Sequence, residues 1–129
     1  MNHLDLENIL KSYSGLDGAI VSKIGFAIGS DISQRTLSVE LKAFLESADS
    51  ESGWRVLKIS TVGRSLFGWC EAPWDTNLVL NYPVKLLRVG EYDVIDFDPL
   101  HANKGKTGIV LSPCFLGGAE LRIEEEAAP

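Results

Sequence analysis

The chain is poor in the residues that do most protein chemistry: 129 residues include two cysteines, two histidines and one methionine. Two thiols, Cys70 and Cys114, cannot by themselves complete a structural zinc site. His3 and His101 add ligands in number but in no recognised spacing, so both cysteines are expected to be reduced thiols. Long hydrophobic runs are missing as well. No window approaches the ~20 apolar residues of a membrane helix. Residues 1–11, with Asp5 and Glu7 among them, lack the apolar core of a signal peptide. The expected location is therefore cytoplasmic, away from membranes. Positive charge is the last shortage, with 12 Lys and Arg against 18 Asp and Glu and a net charge of -6. A nucleic-acid binder needs clustered cations to displace counterions from phosphates, so nucleic acid is not an expected ligand.

What remains is the composition of an ordinary globular protein, 45% hydrophobic and 23% charged. Its length suits a single domain, residues 1–129, and no linker, repeat or low-complexity segment divides it. Leu4, Leu6, Ile9 and Leu10 predict a short amphipathic helix with acids in its first turn, ended by Ser14, Gly15, Asp17 and Gly18. From Ile20 the hydrophobic period becomes two. Ile20, Ser22, Ile24, Phe26 and Ile28 share one face of a strand. In residues 36–43, Leu37, Val39, Leu41 and Ala43 alternate with Thr36, Ser38, Glu40 and Lys42, the pattern of an antiparallel sheet with one wet face. Residues 54–60 place Leu57 and Ile59 inward. Further strands are expected at 65–70, around Leu78 and Leu80, at Val84 and Leu86, at 92–98, at 109–111 and at 121–123. Gly25, Gly63 and Gly68 are candidate bulges, Gly117-Gly118 a turn, and Glu124-Glu125-Glu126 a solvated tail.

These elements predict an α+β fold that is mainly β: a curved antiparallel sheet of about eight strands, sandwich or half-barrel, with one short N-terminal helix. A parallel α/β arrangement would need long crossover helices, which the pattern lacks.

Motifs for catalysis are weak. Gly105-Lys106-Thr107 resembles the end of a phosphate loop, but Leu100 stands where the signature needs glycine, and a turn accounts for it better. Asp96, Asp98 and His101 are the best candidates for divalent cation ligands. The plainer account has Asp98 opening a turn before Pro99 and Asp96 pointing to water, so no metal and no cofactor is expected. No serine sits in a nucleophile elbow and no histidine is tied to a cysteine. Without a catalytic motif, an enzyme is the less favoured class.

The most unusual stretch is Phe67 to Asp75, where Trp69 and Trp74 flank a ladder-breaking Pro73. One account makes it a core corner. The other makes it a recognition loop in which Trp74 anchors a protein partner inside a rim of Glu71 and Asp75, with Tyr92, Asp96 and Asp98 extending the contact face. The succession Thr36–Leu41, Trp54–Ile59, Phe67 with Glu71-Ala72-Pro73-Trp74, then Tyr92 through Asp96-Phe97-Asp98-Pro99, resembles small β-rich bacterial proteins encoded beside polymorphic toxins or on mobile elements. The resemblance spans residues 18–99 and implies an immunity-protein-like binding module without assigning any residue a role. The expected function is thus a non-enzymatic factor that binds a protein partner, preferably basic, through an acidic, aromatic-anchored surface. Self-association is compatible with this. The alternative is a small-ligand-binding or enzymatic β-domain with its pocket inside the curved sheet.

Overall fold

The computed structural model describes residues 2–27, 35–45, 53–69, 79–80, 82–99, 103–104, 110–112 and 114–127. Helix α1 (His3–Ser12) starts at a reciprocal cap: the Asn2 side chain accepts from the Asp5 amide, and the Asp5 carboxylate accepts from the Asn2 amide. This satisfies two first-turn donors, and Asp5 near the start and Lys11 near the end complement the helix dipole. Leu6 and Leu10, four apart, are buried, whereas Leu4 is 62% exposed and lies off the apolar stripe.

A tight turn, Ser14–Leu16, ends the helix with three successive positive φ values, 54°, 65° and 67°. Leu16 tolerates this backbone while its side chain is fully buried. At Gly15 a side chain has no room, since a Cβ would sit 2.8 Å from Pro83 Cβ. The chain around Pro83 is bonded to this turn: the Gly18 amide donates to Leu80 O (2.7 Å), Leu80 to Ala19 O (2.8 Å), and Val84 to Gly15 O (2.7 Å).

The strands are β1 (Ile20–Ala27), β2 (Thr36–Phe44), β3 (Trp54–Gly68), β4 (Lys85–Val89), β5 (Tyr92–Asp96), β6 (Asn103–Lys104), β7 (Val110–Leu111) and β8 (Phe115–Ala127). Six form one antiparallel sheet in the order β1-β2-β3-β8-β5-β4, and β6 with β7 makes a separate two-stranded ribbon. Mainly antiparallel β with one short N-terminal helix is thus the observed class. The expected sheet of about eight strands, folded as sandwich or half-barrel, is instead a single open sheet among the described residues. The reason is that α1 and the turn after it supply what a second sheet would: Leu6, Leu10, Tyr13 and Leu16 join Val39, Leu41, Leu57, Ile59, Leu121 and Ile123 in one buried cluster.

The alternation in β2 is realised, with Leu37, Val39, Leu41 and Ala43 buried. Its other face carries Glu40, flanked in register by Lys23 of β1 and Lys58 of β3, and Lys58 in turn faces Glu124 of β8. This row alternates in sign across four strands, an arrangement that contributes roughly 0.2–1 kcal/mol per neighbouring pair.

The glycines and the C-terminal glutamates meet the sequence expectation at one point and depart from it at others. Gly63, at φ 81°, marks a register shift between Val62 and Ser65, as a bulge glycine should. Gly25 and Gly68 mark none; the other shift lies between Val21 and Lys23. Gly117-Gly118 is not a turn but lies within β8, in register with Leu66 and Ser65 on one side and Val94 and Asp93 on the other. A Cβ at Gly117 would come 2.8 Å from Val94 Cγ2, so glycine there serves close strand packing. Glu124, Glu125 and Glu126 are exposed as expected, but they form strand, paired with Lys58, Leu57 and Val56, and are not a tail.

Candidate functional site

Of the residues expected to form a contact face, Glu71, Trp74 and Asp75 lie outside the described residues, as do Cys70, His101 and the Gly105–Thr107 run. Tyr92 opens β5, half-buried, opposite Val89 across a turn containing Gly90. Asp98 lies two residues beyond the other end of β5, past a bend at residue 97, so Tyr92 and Asp98 do not share a face of one strand. Asp96 corrects the expectation outright. Its carboxylate is 1% exposed and accepts from the Ser112 amide (2.9 Å), the Asp98 amide (3.0 Å) and the Ser112 hydroxyl. Alternation with Ile95 predicts a wet face, but Ser112 and Cys114, on the chain entering β8, lie against this end of β5 and cover it. The carboxylate holds that crossing together instead of facing a partner. Ser112 and Asp96 are both sealed from solvent, so their contact offers no nucleophile to a substrate. Among the described residues no three His, Cys, Asp or Glu side chains gather as metal ligands.

A second acid on β5, Asp93, drew no notice in the sequence. It is buried, and its Oδ1 lies 3.3 Å from Arg88 Nη1 and 3.3 Å from His3 Nδ1. His3 Nε2 is in turn 3.3 Å from Glu7 Oε1. The chain of contacts ties the first turn of α1 to β5 and β4 at one side of the sheet. An acid flanked by Tyr92 and Val94 in a strand gave no local signal of a partner 90 positions away.

The chief surface feature follows from a mismatch of strand lengths. β5 covers β8 only along residues 115–118, while β3 covers it from 115 to 127. Beyond Gly118, then, one edge of β8 meets no other described strand. Beside it runs the outer flank of α1, and the two enclose a groove of about 600 Å³ lined by Asp5, Asn8 and Ile9 of the helix and Arg122, Ile123 and Glu124 of the strand. Arg122 is engaged by Glu120, Nε to Oε1 at 3.1 Å, and this guanidinium lowers the Glu120 pKa. Asp5 and Glu124 therefore set the sign of the groove. At its far end the Tyr13 hydroxyl donates to Glu125 Oε2 at 2.5 Å. Burial, then that bond and the Glu125 charge, hold the Tyr13 phenol far above its ordinary range, with Arg55 opposing. The sequence contained a usable sign of this strand: Leu121, Arg122, Ile123 and Glu124 alternate as a continuing strand does.

No helix among the described residues is long and apolar enough to cross a membrane. Comparison with known proteins finds no matching family model, no similar characterised sequence and no similar solved structure.

Proposed function

We propose that this chain is a non-enzymatic, cytoplasmic binding protein, an immunity-type or accessory factor, that engages a basic protein partner. The observation that carries this reading is the acid-rimmed groove between α1 and the uncovered edge of β8. Two carboxylates, Asp5 and Glu124, line it together with the apolar side chains of Ile9 and Ile123. Apolar contact with a charged rim is the usual division of labour in protein recognition, the first giving affinity and the second steering the encounter. The net charge of -6 extends the same preference over the whole surface.

The test is complex formation with the proteins encoded beside this one, followed by light scattering and stopped-flow association. A stoichiometric complex whose association slows steeply with salt supports the reading; salt-independent association, or none with any neighbour, defeats it. A small-ligand site is the second reading, favoured by the groove's volume, which lies in the range of about 300–1,000 Å³ typical of such sites. It requires ligand uptake that saturates without any protein partner.

A further inference from the structure

We propose that the uncovered edge of β8, residues 119–127, receives its partner by strand addition: an extended basic segment lies between β8 and α1 and pairs through its main chain. This rests on the reading of the groove as a protein-binding site and assigns its mode of recognition.

Four features support it. The first is the edge itself. Nine residues of strand, about 30 Å, are bonded on the β3 side alone among described strands. Every second residue there presents its amide and carbonyl to the groove, a ladder that a further strand satisfies directly. The second is the sign of the edge's guard. Natural sheet edges are guarded by charged side chains, proline or bulges. The segment 119–127 has no proline or lysine; its charges are Glu120, Glu124, Glu125 and Glu126, with the one cation, Arg122, held by Glu120, so it repels acidic strands and admits a basic one. The third is the match of the lining to an added strand's period. On the side of the sheet that Ile123 faces, its side chains would meet Ile123 with Ile9 and Asp5 of α1, and the alternate set would meet Glu124. Alternating apolar and basic residues fit both. The fourth is charge, which argues against a second copy as occupant. Two chains paired here would bring two Glu124–Glu126 runs into one short ribbon.

The experiment uses the full chain and an end-blocked probe peptide, Lys-Val-Lys-Val-Lys-Val-Lys, with Glu-Val-Glu-Val-Glu-Val-Glu as its acidic counterpart. In two further probes either the valine or the lysine amides are N-methylated, which blocks one edge of an extended peptide or the other. The basic probe should bind, and the acidic one should not. One methylated series should lose at least about tenfold in affinity while the other stays within about threefold, since only one edge faces β8. Hydrogen exchange should show every second amide of residues 120–126 gaining protection, and Glu124→Lys should weaken binding at low salt. Equal loss in both methylated series, with no alternating protection, overturns strand addition while leaving the groove a protein site. Failure of the basic probe to bind at all overturns both readings. A dimer that the probe dissociates would make the occupant a second copy and equally overturn the proposal.

Discussion

At Tyr13 a buried phenol bonded to Glu125 makes stability depend on alkaline pH. Its folded pKa is raised above the 10.0 it has when exposed, so the stability it contributes is complete below that value. Above pH 10 the unfolded chain loses this proton and the folded chain keeps it. Stability should therefore fall by up to about 1.4 kcal/mol per pH unit from this group. Tyr13→Phe removes both the bond and the titration. Urea unfolding should find the variant about 0.5–1.5 kcal/mol less stable at pH 8 and the deficit shrinking above pH 10; an unchanged deficit at pH 11 would refute the account. Gly15 makes a second residue-scale claim. With φ at 65° and Pro83 in the way of any Cβ, Gly15→Ala should cost about 1–3 kcal/mol, read as a lower urea midpoint at constant slope.

Among the elements, β2 is the one whose two faces were legible in advance, because it lies between two antiparallel neighbours with one dry side. Leu41 is fully buried in the central cluster, and Leu41→Ala should destabilise by roughly 2–5 kcal/mol by thermal or chemical unfolding. A loss below 1 kcal/mol would mean that the helix does not pack on this sheet as described. β8 behaves differently. Its cluster members Leu116, Leu121 and Ile123 do not keep a period of two, since 116 and 121 are five apart. The irregularity opposite Val62–Ser65 lets both ends face the same core, and no local pattern announces it. A strict alternation search finds only Leu121–Ile123 and assigns the rest to a turn and a tail.

For the whole molecule, the balance of charge and a β8 edge that no other described strand meets together predict a salt-dependent encounter with a basic partner. Glu124→Lys should lower the association rate and flatten its dependence on ionic strength, while costing stability only on the scale of its lost pairing with Lys58, about 1 kcal/mol, since residue 124 is exposed. Stopped-flow mixing at several salt concentrations decides this; an effect confined to dissociation would place Glu124 outside the steering field. The far-ultraviolet circular dichroism spectrum should be dominated by strand.

The sequence by itself determined the quantities that depend on near neighbours along the chain. These are the helix over the first residues, the dry faces of β2 and of the first half of β3, and a mainly antiparallel class. Each follows from side-chain period or backbone freedom within a few residues. Only the tertiary structure decided that Asp96 is buried against Ser112, that Asp93 meets His3, and that Gly117-Gly118 runs through the middle of a sheet. The groove beside β8 belongs to the same group. It exists because β5 is shorter than β3 along a strand they share, and α1 settles beside the part of β8 that β5 does not reach. That is a difference between two pairings, 93–96 with 115–118 and 55–68 with 115–127, and neither is encoded within any one segment.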